Sequence, residues 1–291
     1  MIFKYIFPQD KAISREVFTL ALPVILSNLS RVLMSLIDVA MVGRLGAAAI
    51  AATGMGAMLF WGALSLVLGI RTAVQTVASR RLGQKKFSQC GTAFHNGLLM
   101  ATLYGIPVSI AGWLWAKDFI PFFINDIEAT PMAAEYSSII FLTLLFSALS
   151  FVFQGFYTGI EKTRIHLRVT VTSNIINVYL NAGLIYGSEG MKDFIQETIP
   201  ALSFLTPIWQ WTVFPALGVK GAAIATLVAS AWMALHYFTH LFSKQVRHKF
   251  NVFALSVDLS MMRRQLKLAL PQGVQEMVIA VGWSVFYKIM G

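Results

Sequence analysis

Charge is scarce in this sequence. Asp, Glu, Lys and Arg together make up 12% of the 291 residues, about half of what a soluble domain carries. An ordinary solvated surface is thereby excluded. Cysteine is scarcer still. Cys90 stands alone, which rules out a disulfide framework and any cysteine-based metal site. The sequence also lacks a glycine-rich phosphate loop, an HExxH pair and a nucleophile elbow, so neither ATP-driven pumping nor hydrolytic chemistry is indicated. Energy for any work would have to come from an ion gradient or a partner. In place of charge, 57% of the residues are hydrophobic and the mean hydropathy is +0.68. These values describe a polytopic, all-α integral membrane protein.

A helical span needs about 20 apolar residues. Seven such stretches can be read, at 17–41, 50–77, 93–115, 132–157, 166–187, 218–243 and 266–291. An eighth apolar stretch, Ile199–Pro215, carries Pro200, Pro207, Pro215, Trp209 and Trp211 and reads as a segment lying at the membrane interface. Lysine and arginine orient the spans. Sixteen of them fall before span one and in alternate connections (4–15, 80–86, 162–168, 244–267), against four in the others (Arg44, Lys117, Lys192, Lys220). The positive-inside rule then places the N-terminus in the cytoplasm. Cytoplasmic loops near anionic lipid also account for the net charge of +10, so no nucleic-acid partner is needed.

One pattern occurs twice. LALP at Leu20–Pro23 begins an apolar run that closes on Gly43, and LALP at Leu268–Pro271 begins one that closes on Gly291. Membrane repeats of this length, 248 positions apart, are how many transporters are built. The expectation is one six-helix lobe and the opening helix of a second. The divisions are a cytoplasmic N-terminus (1–16), an N-terminal lobe (17–243), a cytoplasmic interlobe linker (244–265) and the first helix of an incomplete C-terminal lobe (266–291).

Ionisable groups inside a span are costly and mark function by default. Asp38, about five residues from the end of the first span, is the foremost candidate. A carboxyl surrounded by hydrocarbon is cheapest when protonated or paired with a cation, so Asp38 is a candidate ion-coupling residue. A helix-capping role is the alternative. Asn177 and Asn181, four apart on the fifth span, share a helix face and reach a similar depth. They would hold the carboxylate, line a substrate cavity, or serve as interhelical glue. Pro23 removes one backbone hydrogen bond and is a candidate helix-bending position. Arg31, seven residues before Asp38 and about 10 Å along the same face, is a candidate modulator that would hold the carboxylate ionised if it reached it. Arg71 reads as a snorkelling arginine. Glu276 and Lys288 would serve the second lobe. Gly97, Gly105, Gly221 and Ala222 permit close helix approach.

Five ordered stretches carry a resemblance. LALPVILSNL…SLIDVAMVGRLGAAAIAA (20–52), ASRRLGQKK (78–86), GFYTGIEKTR (155–164), NIINVYLNAGLIYG (174–187) and LGVKGAAIAT (217–226) resemble the multidrug and toxic compound extrusion (MATE) transporters. The resemblance implies twelve helices in two lobes around a central cavity. It implies export of organic cations and other xenobiotics across the inner membrane against H⁺ or Na⁺, with no cofactor beyond the coupling ion and no enzymatic activity. By the same resemblance Asp38 matches the family's ion-coupling aspartate, with Na⁺ at Asp38 the one metal candidate. Pro23 matches its bending proline and Asn177 its fifth-helix asparagine. Asn181 falls where many members carry a second aspartate, and Ile279 stands where one branch carries a glutamate, so the coupling ion stays open between H⁺ and Na⁺. The partners implied are an organic cation, the lipid bilayer and the C-terminal lobe. Two alternatives stand beside this reading. One is a lipid-linked saccharide flippase of the same superfamily, which inward-facing Arg31 and Arg71 would favour. The other is a seven-helix receptor or retinal protein using Lys288.

Overall fold

In lipid every backbone polar group must be satisfied within the chain, and helices do so locally. The computed structural model describes residues 11–124, 126–198, 203–204, 206–210 and 213–290, without the side chains of 11, 194–195, 197–198, 209–210 and 283–290. No strand occurs among the described residues. Seven long helices do: α1 (Lys11–Gly43), α2 (Ala47–Gly83), α3 (Phe87–Phe119), α4 (Ala129–Gly159), α5 (Thr163–Thr198), α6 (Gly218–Thr239) and α7 (Leu259–Met290). α1–α5 each contain one of the expected spans, α6 ends at Thr239, short of the expected 243, and α7 covers the described part of 266–291. Residues 1–10 of the expected N-terminal segment lie outside the described residues, as do Pro200, Trp211 and Gly291.

Five of the seven, α1–α4 and α6, are long and apolar enough to cross a membrane by length and composition. The expected fifth and seventh spans differ. α5 carries a row of Ser, Thr, Asn and His along one face, and α7 carries Arg263, Arg264, Lys267, Gln272, Gln275 and Glu276. On α5 these groups turn towards protein and lower the helix's mean hydropathy without being exposed, whereas on α7 Arg263, Arg264, Lys267 and Gln275 are exposed and Gln272 and Glu276 half-buried. The expected end of the fifth span at 187 coincides with a backbone break: Gly187 has φ 75° inside the helical run, a conformation that favours glycine. Beyond it Ser188–Thr198 folds back over the bundle end. There Met191 is buried with Met41, Val42 and Ala49, and the Ser188 N–H and the Phe214 N–H bond to Phe214 O and Ser188 Oγ.

Turns at 44–46, 84–86 and 160–162 make neighbouring helices antiparallel, so Arg80, Arg81, Lys85, Lys86 and Lys162 gather at one end, hereafter the basic end. α4 is the centre, packing extensively on α2, α3 and α6. Small residues set the separations, as expected where no water is present to drive helices together. A Cβ on Gly155 of α4 would stand 2.4 Å from the Arg71 carbonyl of α2, and one on Gly97 2.4 Å from Val74. α7 lies on α2 in the same manner, Gly69 against the Ala269 carbonyl and Gly273 against Leu66.

α1 behaves differently. It leaves α2 at the Gly46 turn and runs along α5, touching α2 and α6 little. A wedge therefore opens between α1 and the α2–α4 wall. The opposite face of α1, with Leu26, Leu29, Leu33, Leu36 and Ile37, is bare apolar surface, suited to lipid.

The expected linker 244–265 is a packed element. Lys244–Phe250 is a short helix with Val246 and Phe250 buried, and α7 begins at Leu259, seven residues before the expected boundary. His95 and Asn96 of α3 hold the segment: the His95 ring bonds Val252 O at 2.8 Å and accepts from the Ser256 N–H, while Asn96 exchanges two bonds with the Asp258 backbone. Asp258 then caps α7 by accepting from the Ser260 and Met261 N–H groups. Those capping bonds hold the exposed Asp258 carboxyl below the usual carboxylate range.

Candidate functional site

The wedge is a cavity of about 400 Å³ walled by α1, α2, α4, α5 and α6, within the size range of small-molecule sites. Two stripes that carry its polar groups adjoin along one side of it. On α1 the stripe is Ser27, Arg31, Met34, Asp38 and Val42, spaced by three or four residues as one helix face requires. On α5 it is His166, Thr170, Ser173, Asn177 and Asn181, all buried and all on the cavity wall. α2 and α4 add the apolar side with Phe60, Trp61, Leu64, Ile140 and Phe151.

Asp38, Asn177 and Asn181 come together as their spacing suggests. Asn181 Nδ2 donates to Asp38 Oδ1 and also, at 3.1 Å, to Asn177 Oδ1. Asn177 Nδ2 reaches Thr226 Oγ1 of α6 at 3.5 Å. The carboxylate of α1 is thus tied through α5 to α6. Asn181 Oδ1, buried beside Asp38, has no hydrogen-bond partner. A carboxylate with an adjacent free amide oxygen presents the hard oxygen donors that a proton or a small cation takes. Tyr136 of α4, half-buried, lies in electrostatic range of Asp38. Further bonds fix α5 against its neighbours: Asn174 donates to Ser30 Oγ of α1 and Ser173 to Ala229 O of α6, both at 2.8 Å.

Arg31 does not reach Asp38. Its Nη2 donates to Asn28 Oδ1 at 3.0 Å, one turn towards the N-terminus, and Lys220–Glu135 is the single ion pair among the described residues. Pro23 is buried inside a continuous α1, its carbonyl accepting from Ser27 Oγ at 2.7 Å. Arg71 does not snorkel. It lies over the ring of Phe151 at 5.7 Å, and its Nε is buried without a hydrogen-bond partner.

Sequence reasoning missed His166, Thr170, Ser173 and Thr226. The α5 residues were findable, since 166, 170, 173, 177 and 181 repeat at helical spacing. His166 is clamped between Gln154 Nε2 at 3.0 Å and the Tyr237 hydroxyl. Nothing in the spacing of residues 154, 166 and 237 announces that contact.

Comparison with known proteins places this architecture. A profile of the MatE family matches residues 23–182. The probable multidrug resistance protein NorM of Rhodopseudomonas palustris is 25% identical over 258 residues, which are 88% of this chain and 49% of that protein. The probable multidrug resistance protein NorM of Thermotoga maritima is 22% identical over 292 residues, 99% of this chain and 58% of that protein. Among solved structures, the outward-facing conformation of a multidrug resistance MATE family transporter superposes with a TM-score of 0.75 at 19% identity, covering 91% of this chain and 53% of that one. The chain thus spans about half the length of the curated relatives it matches. Because the family profile covers more than half of its residues, the cavity's Asp38, Asn177 and Asn181 included, the chain belongs to the MatE family.

Proposed function

We propose that the chain is the N-terminal six-helix lobe (17–243), with the first helix of the second lobe (266–291), of a twelve-helix antiporter. The antiporter would export xenobiotics across the inner membrane against H⁺ or Na⁺. The observation that carries this reading is the buried Asp38–Asn181–Asn177 bridge on the wall of a cavity whose other wall is apolar and aromatic. The multidrug resistance named in the NorM relatives supports the efflux role, and a transporter rather than an enzyme follows from it. The sixteen-to-four distribution of basic residues supports a cytoplasmic basic end and N-terminus.

Asp38 is the coupling residue in this mechanism. When a proton or Na⁺ neutralises it, the hold of Asn181 on the carboxylate weakens and the unpartnered Asn181 Oδ1 becomes a further ligand for Na⁺. α1, attached chiefly along α5, then bends at Pro23, where the Thr19 carbonyl lacks its N–H partner, and the wedge narrows around its contents. Arg31, bound to Asn28 one turn away, sets the charge of the cavity without pairing with Asp38. The C-terminal lobe supplies the remaining wall.

The test is efflux by the intact protein in proteoliposomes under an imposed H⁺ or Na⁺ gradient. Asp38→Asn is expected to lower the gradient-driven rate at least about tenfold, because the removed charge is the group that senses the ion. Wild-type efflux from that variant would overturn the mechanism.

A further inference from the structure

The cavity's carboxylate and its basic side chains, two arginines and a buried histidine, lie at different depths. Asp38 is near the 44–46 turn, whereas Arg31 of α1, Arg71 of α2 and His166 of α5 lie towards the basic end. Arg31 and His166 line the cavity directly, and Arg71 covers Phe151, which also lines it. Arg71 is in electrostatic range of Arg31, and both are in range of His166. Gathering like charges inside a membrane segment is costly, and an acidic partner would ordinarily offset the cost. None is present: neither arginine forms an ion pair among the described residues. The one carboxylate in electrostatic range of Arg71 is Glu276 of α7, which accepts from Gln272 at 3.1 Å.

Two donors at this depth also lack acceptors. Arg71 Nε and Ser150 Oγ are buried without hydrogen-bond partners. An unsatisfied buried donor is expensive, more so when charged, and an anionic group in the adjoining cavity would offset the charge of the buried guanidinium. Guanidinium groups suit carboxylates and phosphates because their donors match the spacing of paired oxygens. Beside them Phe60, Trp61 and Phe151 offer an aromatic surface for an apolar body.

We infer that this cavity binds an organic acid, an aromatic or amphiphilic molecule whose carboxylate, sulfonate or phosphate sits between Arg31 and Arg71. The inference rests on the transport reading above and names its substrate class, which differs from the organic cations the family resemblance implies. A free organic acid and an anionic lipid headgroup share this chemistry.

The test pairs two probes with one ring system, pyrenebutyrate and pyrenebutyltrimethylammonium. Each is titrated into the purified protein in phosphatidylcholine nanodiscs, and binding is read as energy transfer from tryptophan. Trp61→Phe identifies the part of the signal that comes from the cavity. The acid is expected to bind about tenfold more tightly than the ammonium. Arg31→Gln and Arg71→Gln should each weaken the acid about tenfold without weakening the ammonium, with Arg71→Lys falling between wild type and Arg71→Gln because it keeps the charge but not the paired donors. Circular dichroism of each variant confirms the fold. Competition by added phosphatidylglycerol would assign the acid group to a lipid, and absence of competition to a free acid. A Trp61-dependent ammonium signal at least equal to the acid's, and indifferent to both arginines, would overturn the organic-acid inference while leaving the transport reading standing. If neither probe gives a Trp61-dependent signal, the cavity is not a binding site and both fall.

Discussion

α1 and α4 are similar in length and both apolar, yet they sit in the fold in opposite ways. Over half of α4's most apolar stretch is buried inside the protein, against about a sixth of α1's. α4 packs extensively on α2, α3 and α6 and interlocks with α2 and α3 through close glycine contacts. α1 holds to the rest mainly along α5, through side-chain bonds: Asn181 to Asp38, Asn174 to Ser30 and Tyr186 to the Met41 carbonyl. Shape-complementary packing resists displacement, because every atom loses its contacts at once. A few hydrogen bonds along one seam can exchange partners one at a time. The difference separates a static wall from a helix able to move, and the candidate coupling residue is on the latter.

Substitutions can break that contrast, beginning with the largest effect. Leu144 of α4 is fully buried, so Leu144→Ala should destabilise the protein by about 2–4 kcal/mol, seen as a lower unfolding temperature in detergent. Next comes Asn96→Ala, which removes both bonds to the Asp258 backbone. It should cost about 1–3 kcal/mol and speed proteolysis within 244–258, and an unchanged cleavage pattern would show that the packed linker does not depend on Asn96. Pro23→Ala restores a backbone donor in α1. The unfolding temperature should hold or rise slightly while efflux slows several-fold, and equal efflux would remove Pro23 from the mechanism. Leu36→Ala, at a position of α1 that is 62% exposed, should shift stability by no more than about 0.5 kcal/mol. A loss as large as that of Leu144→Ala would mean α1 is as firmly packed as α4.

The smallest effect concerns pH. The folded Asp258 carboxyl lies below its ordinary range because it accepts the capping bonds of α7. Its stabilising effect is therefore present above the unfolded carboxylate pKa and is lost as pH falls through the folded value. Acidification should loosen the start of α7 in wild type, read as faster hydrogen exchange at 259–262, and should do so less in Asp258→Ala.

Much of this was legible from residue order alone. Apolar run length located every long helix, because a span's length is set by the bilayer. The end of the fifth span was read at Gly187, where the break occurs. Asp38, Asn177 and Asn181 stood out because polar groups are rare in such runs. The docking of 244–258 on α3 was not legible. It depends on His95 and Asn96 meeting backbone atoms about 160 residues away, and a basic, polar stretch looks the same whether packed or free. Arg71 was misread for a related reason: position along a helix gives depth, whereas facing is decided by the neighbours.

Composition and periodicity therefore determined by themselves that this is a membrane protein built from long helices, with a lone carboxylate, Asp38, in the first apolar span (17–41). Those properties follow from the cost of placing each residue type in hydrocarbon, which can be summed along the chain. Tertiary structure decided which polar groups meet. It gave Asp38 the amide of Asn181 in place of the guanidinium of Arg31, and it left Arg71 half-buried beside the cavity without an ion pair among the described residues. Both outcomes rest on the angle at which α1 leans away from α2 and onto α5, a quantity fixed by packing among helices distant in sequence.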